Sequence, residues 1–140
     1  MITPFAPASR LGLALLGGVA ACQPVGATRI SGDQPSVFAP RYMAVETRLL
    51  EGDLVNFRVR MKGARSKADV ADYAKCAAAQ YALIRGYGFA RHIRTTVEES
   101  DGIWRGDAVY TISKALPGGR LTLDAEVVVG NCRDEGIPTV

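Results

Sequence analysis

The sequence predicts an α+β domain, an antiparallel sheet of about five strands in the order β-β-α-β-β-β with one helix packed on one face. Three observations predict it. Several stretches alternate apolar and polar residues with the period of a half-buried strand. One alanine-rich stretch in the middle instead repeats its apolar residues at helical spacing. Glycine, proline and Asx-rich segments fall between these stretches and punctuate them as turns.

The domain does not begin at the first residue. Arg10 places a positive charge ahead of the short apolar run Leu11-Gly-Leu-Ala-Leu-Leu-Gly-Gly, and Val19-Ala20-Ala21-Cys22 closes it with small residues before a cysteine. This is the pattern of a signal peptide ending in a lipobox. Residues 1–21 are therefore expected to be removed and Cys22 to be lipidated. From Leu11 to Ala21 the run is too short for a membrane-spanning helix, which needs ~20 apolar residues. Residues 22–40 read as the lipidated cysteine and a tether, because Pro24, Gly26, Gly32, Pro35 and Pro40 interrupt any periodic run. A coil of that length holds its ends roughly 20 to 25 Å apart. Residues 41–140 are left as one folded domain.

Within the domain, Arg41 to Glu51 alternates Met43, Val45, Thr47 and Leu49 against Tyr42, Glu46 and Arg48. Glu51-Gly52-Asp53 is a turn signal. Leu54 to Lys62 places Val55, Phe57, Val59 and Met61 on one face and Asn56, Arg58, Arg60 and Lys62 on the other, so the two strands form a hairpin. Ser66 with Asp69 resembles a capping box at a helix start. Val70, Ala74, Ala77, Tyr81 and Ile84 continue as a buried stripe, and Gly86 is the stop. Phe89 to Val97 is a strand with Phe89, Ile93 and Val97 in phase, followed by a turn over Glu98 to Gly102. Ile103 to Lys114 alternates Trp104, Ala108, Tyr110 and Ile112 against Arg105, Asp107, Thr111 and Ser113. After Pro117-Gly118-Gly119, Leu121 to Val129 alternates Leu121, Leu123, Ala125, Val127 and Val129 against Thr122, Asp124 and Glu126, and Gly130-Asn131 ends it.

The block Cys76-Ala-Ala-Ala-Gln-Tyr-Ala-Leu-Ile-Arg-Gly-Tyr-Gly-Phe-Ala-Arg-His-Ile-Arg94, with Trp104-Arg-Gly-Asp-Ala-Val-Tyr-Thr-Ile-Ser113, resembles uncharacterised short lipoproteins of alphaproteobacteria. The resemblance implies an envelope address and brings no activity with it. Gln23, where inner-membrane lipoproteins of many Gram-negative bacteria carry aspartate, favours the outer membrane by resemblance to that sorting rule.

Cysteine parity points the same way. There are three cysteines, and lipidation of Cys22 leaves Cys76 and Cys132 as an even pair for a disulfide in an oxidising compartment. That bond is expected to staple the helix to the end of the last strand. Loss of Arg10 with the signal peptide leaves sixteen basic against fourteen acidic side chains. A balance that weak argues against nucleic acid as a partner.

Catalytic chemistry finds little material. His92 is the one histidine; it lies between Arg91 and Arg94 in no nucleophile motif, and reads as a surface group. One histidine and distant cysteines do not make a metal set. Gly86-Tyr87-Gly88 lacks the third glycine of a dinucleotide loop and follows a helix. No cofactor and no enzyme activity are expected. Arg58, Arg60 and Lys62 share a strand face that Arg91, Arg94 and Arg105 could adjoin, a basic strip suited to anionic lipid heads or acidic glycans; its plainer reading is a solvated sheet face. Tyr73, Tyr81, Tyr87, Phe89 and Trp104 read as core rather than as a ligand groove. The expected function is that of a membrane-anchored, non-enzymatic envelope module with an unidentified protein partner. The alternative is a small-ligand or lipid-binding domain using the cleft between helix and sheet.

Overall fold

The computed structural model describes residues 37–140, which fold as one compact unit. The expected signal peptide, Cys22 and most of the expected tether lie outside the described residues. In chain order the elements are β1 (Arg41–Leu49), β2 (Leu54–Lys62), α1 (Lys67–Ile84), β3 (Phe89–Ser100), β4 (Ile103–Ser113), β5 (Thr122–Asp124) and α2 (Ala125–Asp134). The α+β class and the five-stranded antiparallel sheet are as expected. The sheet order is β1-β2-β4-β3-β5, and every pairing is antiparallel.

The β2 alternation survives apart from Asn56, which is buried. Val55, Phe57, Val59 and Met61 are buried while Arg58, Arg60 and Lys62 are exposed. β1 and β3 differ from a strict period of two, and for the same reason. A bulge between Tyr42 and Ala44 makes Met43 the extra residue, so Tyr42 takes the inner face opposite Met61 and packs edge-on against Tyr73, ring centroids 4.7 Å apart. A second bulge between His92 and Arg94 leaves Ile93 exposed. An extra residue reverses the side-chain phase beyond it. His92 is therefore no surface group: it is half-buried opposite Tyr110, with ring centroids 5.1 Å apart and Nε2 2.8 Å from Thr95 Oγ1.

Turns are tighter than expected at one place. β3 and β4 run on to Ser100 and from Ile103, so the turn is Asp101-Gly102 alone. Both residues have positive φ, 54° and 74°, as a two-residue hairpin with the right twist requires.

Helix α1 begins at Ser66, whose Oγ accepts from Ala68 N at 3.2 Å. The Asp69 carboxylate accepts from the backbone N–H of Arg65 at 2.7 Å and pairs with the Arg65 guanidinium. Those charge-assisted bonds hold the Asp69 carboxyl below its ordinary range. At the other end, Gly86 N donates to Leu83 O and Tyr87 N to Ala82 O, with Gly86 at φ 76°. This is a Schellman stop. Ile84, expected in the buried stripe, is exposed, whereas Cys76, Ala78, Ala79 and Ala82 are buried beyond it. The reason is that α1 has two covered sides, one against the sheet and one against α2.

The largest departure is α2. The strand expected over Leu121 to Val129 shrinks to Thr122–Asp124, and Ala125–Asp134 is helical. Asp124 caps it, its Oδ1 accepting from Glu126 N at 3.1 Å and Val127 N at 3.2 Å. Ala125, Val129 and Cys132 are buried; their spacing closes one helical face, and Val127 lies exposed where the strand reading buried it. Cys76 and Cys132 form a disulfide with Cα atoms 6.0 Å apart, within the usual range for the bond. Because Cys132 is on α2, the staple joins helix to helix and not helix to strand end.

α1 crosses the sheet over β2, β3 and β4, and small residues set its approach. A Cβ at Gly106 would meet Val70 Cγ1 at 2.8 Å and Val59 Cγ2 at 2.9 Å. Ala74, Ala77, Ala78 and Ala108 are fully buried in the same core. Gly106→Ala is accordingly expected to lower stability by ~1–3 kcal/mol through overpacking, measured by urea unfolding, while Gly130→Ala, with open space around it, is expected to be neutral or stabilising. For the disulfide, the 56-residue separation corresponds to roughly 4 kcal/mol in the chain-entropy model. Replacing Cys76 and Cys132 together by Ala should lower the urea midpoint substantially, and reduction of the wild type should reproduce the change.

Candidate functional site

With α1 and α2 on the inner side, the outer face of the sheet is left to solvent. Register places its side chains in rows. One row across β1, β2, β4 and β3 is Ala44, Arg60, Arg105 and Glu98; the next is Glu46, Arg58, Asp107 and Thr96; a third is Arg48, Asn56, Val109 and Arg94. The first two rows line a groove of about 600 Å³ in the outer face. That volume suits a small ligand.

The charges in and beside the groove fall into two groups. Asp107 is the hub of the first: it accepts from Asn56 Nδ2 at 3.0 Å, pairs with Arg58 Nε at 3.3 Å and with Arg94 Nη1 at 3.1 Å. It thus ties β2, β4 and β3 together on the face opposite the helix. Asn56 is buried and gives its second amide hydrogen bond to Ala108 O at 3.1 Å. Glu46 is similarly committed, to Arg48. Arg60 and Arg105 make up the second group. They stand directly opposite each other, and among the described residues neither has a carboxylate within ion-pairing distance. Like charges in that arrangement oppose each other.

Of the basic strip read from the sequence, Arg58, Arg60 and Lys62 do share one face, and Arg94 and Arg105 join them. Arg58 differs from the other two because Asp107 neutralises it. Asp107 was legible only as one polar residue of an alternating strand; its role comes from long-range register. The aromatic residues belong elsewhere. Tyr73 packs on Tyr42, and Tyr81 and Tyr110 pack edge-on against Phe57, centroids 5.7 and 6.0 Å away. They fill the layer between α1 and the sheet, and burial pushes the Tyr110 hydroxyl pKa up. Among the described residues, no three His, Cys, Asp or Glu side chains stand together as a metal set. No described helix is long and apolar enough to cross a membrane.

If Asp107 ties three strands through both ions and the buried Asn56, Asp107→Ala should cost about 1–2 kcal/mol. Added salt should remove only the part owed to the exposed arginines. Urea unfolding at low and high salt separates the two contributions, and a difference that vanished completely in salt would deny the Asn56 part.

Comparison with known proteins places residues 42–136 on a family model described as the YNQ4 C-terminal domain. A stretch of 85 residues is 31% identical to a Paracoccus denitrificans protein described as "Uncharacterized 26.9 kDa protein in nqo8 5'region". The match covers 61% of this chain and 33% of that protein, so the chain spans about a third of its relative's length. No solved structure matches.

Proposed function

The chain belongs to the YNQ4 C-terminal domain family, and on that premise we propose that it is a lipoprotein of the bacterial envelope, anchored through a lipid on Cys22. Its domain is a non-enzymatic interaction module displayed into the periplasm, and Gln23 favours the outer membrane as the site of the anchor. The observation that carries this reading is cysteine parity. Of three cysteines, Cys76 and Cys132 are bonded to each other in the core, which leaves Cys22 as the odd one, and it stands at the end of a lipobox. A disulfide of this kind also suits an oxidising compartment.

The small-ligand alternative keeps support from one observation, with a change of place. The interface between α1 and the sheet is filled by alanines and aromatic rings, whereas the groove is on the outer face. A ligand reading therefore belongs to the arginine-lined side.

Growth with a radioactive fatty acid tests the anchor. Wild-type protein should incorporate the label and fractionate with membranes, and Cys22→Ser should do neither. Equal incorporation by the two would contradict the proposal.

A further inference from the structure

We infer that Arg60 and Arg105, with Lys62 beside them, form a phosphate-binding site in the outer groove. The site is for a phosphate monoester, either of a soluble molecule or of a lipid headgroup. It is independent of the anchor at Cys22, since all three cations are held by the folded domain.

The argument starts from the cost of the arrangement. Residues directly opposite on antiparallel strands have Cβ atoms about 4.5–5.5 Å apart, and Arg60 and Arg105 are such a pair. Two like charges rooted that close oppose each other, and an anion bound between them would relieve the opposition. The carboxylates of the groove do not supply it. Asp107 is already engaged by Arg58, Arg94 and Asn56, and Glu46 by Arg48. Glu98 stands opposite Arg105 on the β3 side and forms no ion pair with it. Arg60 and Arg105 are therefore left without a counter-ion among the described residues.

Chemistry then selects the anion. Two guanidinium groups on facing strands can each give paired N–H donors to oxygens of one tetrahedral group. Lys62 adds a third cation on the same face of β2, exposed and likewise unpaired among the described residues. Three cations match a phosphate dianion better than a single carboxylate. Arg58, included in the strip on sequence grounds, is not part of the site because Asp107 holds it. Beyond the phosphate the groove is walled by Thr96 and by the already paired Glu46 and Asp107, so polar substituents and not an acyl chain would occupy it.

The test uses the full chain at constant ionic strength, with chloride exchanged for inorganic phosphate, and reads the melting temperature and the fluorescence of Trp104. Trp104 is the one tryptophan; it precedes Arg105 on β4 but stands on the inner face opposite Met61, so it reports the site only through the strand. The second probe is sedimentation with phosphatidic acid vesicles against phosphatidylcholine vesicles. In wild type, a saturable rise in Tm with phosphate, or selective retention on phosphatidic acid, is expected. Arg60→Gln with Arg105→Gln should weaken either response at least tenfold and, in phosphate-free buffer, should not lower Tm, because a repulsive pair has been removed. Arg85→Gln with Lys114→Gln removes the same charge away from the groove and should leave the response unchanged. A response to inorganic phosphate assigns the site to a soluble ester, and a response to vesicles alone assigns it to a headgroup. The inference is overturned if wild type shows neither response, if the groove variant responds like wild type, or if the control variant loses as much as the groove variant. Labelling at Cys22 is read separately, so failure of either proposal leaves the other standing.

Discussion

Close contact between α1 and the centre of the sheet is the constraint on which the rest of this structure depends. Gly106 has no side chain where Val70 and Val59 meet it, and Ala74, Ala77, Ala78 and Ala108 keep the two layers near each other. Phe57, Met61, Tyr73 and Tyr110 fill the flanks. Apolar burial of this kind is the main favourable contribution to a small domain, and small residues along the line of contact determine how completely it is realised. α2 then covers the side of α1 that the sheet does not reach, with the Cys76–Cys132 bond holding the two helices together.

That division of faces explains the chemistry of the other side. Since both helices lie inward, the outward side chains of β2, β3 and β4 are mostly polar, with Leu54, Phe89, Ile103 and Val109 the apolar ones in register on that face. Val109 is nonetheless buried, in the same row as Arg48 and Arg94. Asp107 organises this surface by drawing Arg58, Arg94 and Asn56 to itself, and its partners are not available to anything else. The result is a face whose centre is compensated and whose Arg60–Arg105 row is not. The uneven distribution, more than the total charge, is what makes the groove a candidate site.

Much of this could be read in the residues, and the failures have local causes. β2 and β4 were legible because the alternation of residue type carries through to the direction of the side chains, with Asn56 and Val109 buried on the outer face, and α1 because Ser66 starts it and Gly86 stops it. β1 and β3 each contain a bulge, and nothing in Met43 or Ile93 marks it, since the extra residue is apolar and fits either face. Leu121 to Val129 alternates like a strand, and three consecutive valines favour one. Helix signals were present all the same: Asp124 as a cap, Glu126 in the first turn, Arg133 in the last and Gly136 beyond it. Packing of Ala125, Val129 and Cys132 on α1 outweighed β propensity. For the site, Arg58, Arg60 and Lys62 share a face by alternation alone. Which of them is neutralised depends on pairing between residues 49 positions apart, and no local pattern encodes that.

Hydrogen exchange on the oxidised full chain tests the central claim most directly. If helix and sheet stand or fall together, amides of residues 70–82 in α1 should exchange as slowly as those of β2 and β4, through one global opening. Amides of the β1 edge should be faster. Rapid exchange throughout residues 70–82 while β2 and β4 stay protected would contradict the account, because the sheet would then persist without the helix that is held to organise it.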